Sequence, residues 1–194
     1  MRKLLVVDCC IRKEESRTKK ILERFLSAAP SDCEVERLVL TEENLAPLMG
    51  DFFEQRQRLL EAGYLSHPRF RYAKQFANAD LVVIAAPFWD LSFPSILKIY
   101  LERISVTNIT FGYDSTGDMK GLCRAPRMLL VTTRGGYYAG TPLEMGRRQL
   151  EALCVMYGIP ELVCLDAEGL DDARNDAGAL LAAAMERGAA LAET

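Results

Sequence analysis

Histidine occurs once in this chain, at His67, and its six cysteines form no Cys-x-x-C pair. Both shortages weigh against a Cys/His zinc site. A lone histidine, far from any serine or cysteine in a recognisable context, also weighs against a hydrolase triad. No apolar stretch approaches the roughly 20 residues of a membrane span. No long basic run appears and the net charge is -3, so nucleic acid is a poor partner. G-x-G-x-x-G and the Walker A pattern are both missing, which disfavours a dinucleotide fingerprint and an NTPase. Cys9, Cys10, Cys33, Cys123, Cys154 and Cys164 are scattered; Cys9-Cys10 is open to reading as a redox or metal pair, but reads better as two reduced residues at a strand end of a cytoplasmic protein. Met1-Arg2-Lys3 leads into only four apolar residues before Asp8, the pattern of a first strand rather than a signal peptide.

What remains is an ordinary composition in 194 residues, the size of one domain spanning 1–194. A domain of that size buries roughly 70% of its unfolded surface and needs no staples. Its clearest stretch is Leu81 to Arg103. Leu81-Val82-Val83-Ile84-Ala85-Ala86 shows no polar alternation, as expected of a strand covered on both faces. Pro87 stops it, and Phe88-Trp89-Asp90-Leu91 follow as a loop. Ser92 reads as a helix cap with Pro94 in the first turn. Ile96, Leu97, Tyr100, Leu101 and Ile104 then share one helix face, with Lys98 and Glu102 on the other.

Four further strands are expected at 4–7, 35–40, 127–133 and 162–165. The second is the most polar and belongs near an edge. A first helix starts at Ser16 with Thr18, Ile21, Leu22 and Phe25 facing inward. Residues 41–78 form a long excursion with helical signals at 52–62 and 70–76. Residues 107–126 read as a long loop. Thr141, Pro142 and Glu144 read as a capping box for a helix that Gly158 ends, and 171–192 as a last helix. Alternation of this kind means a doubly wound α/β domain: five parallel strands in the order 2-1-3-4-5, helices on both faces. Ligands then bind at the carboxyl ends of strands one and three.

Three loops converge on that rim. Ser16, Arg17 and Thr18 offer hydroxyls and free amides at a helix start, which suits a phosphate. Phe88 to Leu91 offer flat apolar surface. Arg134-Gly135-Gly136 let backbone approach a flat ligand. A phosphate at one end and an aromatic platform at the other describe a mononucleotide such as FMN.

The segments Ile84-Ala85-Ala86-Pro87-Phe88-Trp89-Asp90, Val106 to Tyr113, Gly121-Leu122 and Thr132-Thr133-Arg134-Gly135-Gly136 carry a resemblance. The chain resembles the flavodoxin-like, FMN-dependent NADH-azoreductases and quinone reductases of bacteria. The resemblance implies that Cys10 and Ser16-Arg17-Thr18 hold the FMN phosphate. It implies that Pro87, Phe88, Trp89, Asp90 and Leu91 lie along the isoalloxazine, and that Thr133, Arg134, Gly135 and Gly136 close over its pyrimidine side. It further implies a homodimer using NADH or NADPH to reduce quinones or azo compounds, with no catalytic side chain because the cofactor carries the hydride. Phe111, Tyr113 and Tyr137 are candidates for the substrate pocket, supplied within one chain or by a second subunit. Two departures stand out. Cys10 replaces a hydroxyl and is a weaker donor, and Asp90 replaces an asparagine and brings negative charge toward the flavin. Asp8, Glu14 and Glu15 add negative charge near the phosphate, offset by Arg12, Lys13 and Arg17. A non-catalytic flavodoxin-like electron carrier is the alternative reading.

Overall fold

A computed structural model describes residues 2–193. Its elements are β1 (Arg2–Asp8), α1 (Arg17–Ser27), β2 (Cys33–Val39), α2 (Gly50–Glu61), α3 (Arg71–Ala77), β3 (Leu81–Ala85), α4 (Ser95–Ile104), β4 (Phe111–Tyr113), β5 (Met119–Gly121), β6 (Arg127–Thr133), α5 (Met145–Tyr157), β7 (Glu161–Ala167) and α6 (Ala177–Ala192). Five strands form a parallel sheet in the order β2-β1-β3-β6-β7. That is the expected 2-1-3-4-5 order once the separate β4-β5 hairpin is left out of the count. The polar strand β2 is an edge, as its composition required.

Alternate residues of each central strand enter two separate cores. Leu5, Val7, Val82, Ile84, Met128 and Leu130 pack against α3, α4 and α5 through residues such as Phe76, Leu97, Tyr100, Leu150 and Tyr157. Leu4, Val6, Val83, Ala85, Leu129 and Val131 pack against α1 and α6 through Ile21, Leu22, Phe25 and Ala184. Both faces are therefore dry, and polar alternation has no place in these strands. In α1 the inward set is as expected, and in α4 Lys98 pairs with Glu102 at 2.7 Å.

Helix starts depart most from expectation. α4 begins at Ser95, because Ser92 is bridged to Trp89 and cannot cap. α5 begins at Met145 with no side-chain cap, since Glu144 is drawn to Arg134. α6 begins after Asp176, which accepts from the Ala179 amide at 3.0 Å; residues 171–175 are loop. The stretch 107–126 is not a plain loop. It contains the β4-β5 hairpin, which packs on the carboxyl end of α5 where Gly121 meets the Tyr157–Gly158 backbone. A Cβ on Gly121 would lie 2.0 Å from the Gly158 nitrogen, so the contact demands glycine. No helix among the described residues is long and apolar enough to cross a membrane.

Candidate functional site

β1 and β3 lie side by side, and their chain connections lead to opposite faces of the sheet. At the end of β1, Asp8 is buried. It accepts from the Cys10 amide at 2.9 Å and pairs with Arg37 at 2.5 Å. Its charge is thus spoken for inside the fold. Cys10 is buried too, with its sulfur toward the Ala85 carbonyl at 3.8 Å. Burial, then the Asp8 charge, push its thiol well above the ordinary range, while a hydrogen bond from Ser16 acts the other way. Burial raises Cys9 to about 12, Cys123 to about 12, and Cys154 and Cys164 to about 11.

Ser16 caps α1 as its sequence position suggests, accepting from the Lys19 amide at 3.3 Å. The amides of Arg17 and Thr18 sit in the first turn, where the helix offers them no acceptor. Glu14 and Glu15 are both taken into surface ion pairs, with Lys19 and Arg12. Arg17 reaches across to the loop after β7. Its Nη1 donates to the Leu170 carbonyl at 3.1 Å and to Asp171 at 2.8 Å.

Trp89 to Ser92 form a two-residue hairpin turn, closed by Ser92 N–H to Trp89 O at 2.8 Å and Trp89 N–H to Ser92 O at 3.2 Å. Asp90 and Leu91 have φ of 48° and 64°, the left-handed region that such a turn needs. Aspartate tolerates it; for leucine it is strained by roughly 1–2 kcal/mol. The Leu91 carbonyl accepts from the Met145 amide at 3.0 Å, so the strained turn also serves the start of α5.

After β6 the chain turns at Arg134-Gly135-Gly136. The Arg134 guanidinium is buried and bonded to Glu144, Asp166 and Glu168, so it does not line the rim; only its backbone belongs to the turn. The Phe88 and Tyr138 rings lie 4.8 Å apart at 34°. Phe88, Asp90, Leu91, Gly135, Gly136, Tyr138, Asp171 and Asp172 line an open cleft of about 600 Å³. That is within the ≈ 300–1,000 Å³ usual for small-molecule sites.

A family model described as a flavodoxin-like fold matches residues 2–191. The chain belongs to the flavodoxin-like fold family. It is 36% identical over 195 residues to an FMN-dependent NADH:quinone oxidoreductase 2 of Clostridium acetobutylicum, covering 96% of each chain. It is 34% identical over 175 residues to an FMN-dependent NADH:quinone oxidoreductase of Clostridium perfringens, covering 88% of each. Among solved structures, an azoreductase from Bacillus anthracis superposes with a TM-score of 0.87 at 25% identity, covering 100% of this chain and 99% of that one.

In this flavodoxin-like chain, Tyr138, Asp171 and Asp172 reach the cleft although the sequence reading did not single them out. Tyr138 was within reach of it, two residues past Gly136. The aspartates were hidden in what reads as a helix start. Asp171 sits against the bare Cα of Gly135, where a Cβ would lie 2.1 Å from its Oδ2. Tyr137 points elsewhere: its hydroxyl accepts from Asn175 Nδ2 at 2.6 Å. Phe111 and Tyr113 do not line the cleft either. Their hairpin lies at the opposite rim, with α5's carboxyl end, and Tyr113 is largely exposed.

Thr18 and Thr133 are both buried, and their hydroxyls bond at 2.7 Å, tying α1 to β6. The Thr18 side chain is thus part of the frame behind the helix start. Thr18→Ala should lower stability by about 1–3 kcal/mol, because it strands a buried hydroxyl. Thr18→Ser should recover most of the loss. Urea denaturation of the three proteins checks this; an unaltered midpoint in Thr18→Ala would show that the bond contributes nothing.

Proposed function

We propose that this protein is an FMN-dependent NADH:quinone oxidoreductase, able also to reduce azo compounds. The observation that carries the reading is the cleft lined by the loops after β3, β6 and β7, which the Arg17–Asp171 ion pair joins to the start of α1. It sets a flat, aromatic-walled space close to a capped helix start with two unpaired amides. Curated relatives at 34–36% identity bear the same activity in their names, which supports it. The residues present fit FMN. Cys10, Ser16 and the amides of Arg17 and Thr18 would hold its phosphate. Pro87 through Leu91 and Tyr138 would flank its ring system, and Thr133 through Gly136 would supply backbone from the other side. Hydride acceptance from NADH and delivery to a quinone or azo bond are the chemistry that bound FMN supplies.

The chain's own residues position and shield. The Trp89–Ser92 turn fixes the backbone on one side of the cleft, and the Arg134 network fixes it on the other. No nucleophilic side chain is required. Purified protein should show flavin absorbance, and NADH should bleach it within one anaerobic stopped-flow trace. A chain that binds FMN but is not reduced by NADH would be an electron carrier instead.

Asp90 is exposed and lines the cleft. Its carboxylate disfavours added negative charge nearby, so Asp90→Asn should raise the reduction potential of bound FMN. Asparagine also tolerates the left-handed backbone of this turn, so the fold should be kept. Equal or lower potential in the variant would show that the carboxylate does not act on the ring.

We also propose a homodimer. Phe111 and Tyr113 lie at the rim opposite the cleft of their own chain, so they can serve a pocket only in a second copy. Light scattering should report twice the chain mass. A monomer with full reductase activity would refute this assembly.

A further inference from the structure

Phe52 in α2 lies between arginines brought by two other segments. The Arg69 and Arg103 guanidinium carbons stand 4.1 and 3.9 Å from its ring centroid. Arg71 lies over the neighbouring Tyr72 ring at 4.3 Å, and Arg56 follows Phe52 by one helical turn. Stacking on aromatic faces leaves the N–H edges of guanidinium groups free to donate. Those edges are only partly satisfied here: Arg69 Nη2 donates to Gln55 at 2.5 Å, and Arg56 to Gln57 and the Ser105 carbonyl at 2.8 Å each. Nε and Nη1 of Arg69 and Nε and Nη1 of Arg103 are buried without an acceptor. Among the described residues, the only ion pair any of the four arginines makes is Arg71 to Glu43, at 2.6 Å. Burial, and for Arg103 also the neighbouring arginines, hold Arg56 and Arg103 below the usual range for arginine.

Arg69, Arg71 and Arg103 line a pocket of about 260 Å³ together with Asn44, His67 and Tyr72. His67 Nδ1 accepts from the Arg69 amide at 3.1 Å, which leaves its Nε2 to carry the proton. The pocket shares no lining residue with the cleft. It is smaller than the ≈ 300–1,000 Å³ usual for drug-sized ligands. Every chemical feature calls for a compact, multiply charged acceptor. A carboxylate offers two oxygens; a tetrahedral phosphate offers more, at the spacing that guanidinium forks match.

We propose that Arg69, Arg71 and Arg103, with His67, form a second binding site for a small phosphate-type oxyanion. The site is independent of the cofactor cleft and of the reaction there. Bound anion would accept from the guanidinium groups that line the pocket, and would brace α2 and α3 against the end of α4.

Isothermal titration calorimetry with inorganic pyrophosphate tests this, at constant ionic strength on protein saturated with FMN, so that the α1 start is already occupied. One saturable site per chain is expected. Arg69→Gln and Arg103→Gln should each weaken it at least about tenfold, since each removes hydrogen bonds to a charged group. Arg58→Gln, on the exposed face of α2, should leave it unchanged. Absence of saturable binding to the unaltered protein would overturn the proposal without recourse to any variant. So would affinity in both pocket variants equal to that of the unaltered protein, or equal weakening in Arg58→Gln, which would mark diffuse charge attraction. Should Arg103→Gln fail to fold, Arg69→Gln decides alone.

Discussion

Arg134 is 1% exposed yet carries a full charge, and Glu144, Asp166 and Glu168 converge on it. A charge taken out of water costs several kcal/mol unless it is paired and bonded. Here the pairing recruits three pieces of chain: the residue before α5, the end of β7 and the loop after it. The same carboxylates satisfy backbone as well. Glu168 accepts from the Tyr138 and Ala139 amides, and Glu144 from the Gly140 amide, at 2.7–2.8 Å. Tyr138 is therefore placed against Phe88 by a charge network on the far side of the turn. The aromatic wall of the cleft depends on groups that never touch its contents.

Much of this was legible because burial writes itself into apolar runs. β6 was bounded correctly from Arg127 to Thr133, since the run is continuous and both cores require it. Ser16 was read as a cap and Gly158 as a stop; the latter sits at φ 73°, where glycine is at ease. The miss at Glu144 comes from competition for a side chain by a distant partner. Glu144 looks like the second half of a capping box, but a buried guanidinium is a stronger claim on a carboxylate than a helix amide. The Thr18 hydroxyl, too, has a distant partner, Thr133, 115 residues on. The Arg134 guanidinium is likewise occupied, by carboxylates up to 34 residues further along. Nothing local in the sequence announces such pairs.

Phe111 and Tyr113 lie away from their own chain's cleft for a different reason. Their aromatic character was read as pocket-lining, and aromatic side chains do favour pockets. The topology decides instead. α4 runs from the carboxyl rim of the sheet to its amino rim, so whatever follows it starts on the wrong side of its own molecule. Position along the chain, once the sheet order is known, says more about which rim a loop reaches than its composition does.

The six cysteines are also placed with effect. Cys9 and Cys10 are buried just below the carboxyl rim, and five of the six thiols hold their protons far above neutrality. The quinones proposed as acceptors are Michael electrophiles, and the thiolate is the form of cysteine that adds to them. A chain that handles such compounds within reach of its own sulfur runs the risk of being arylated by its substrate. Keeping Cys9, Cys10 and Cys154 buried, and all five protonated, makes the protein a poor target for such electrophiles.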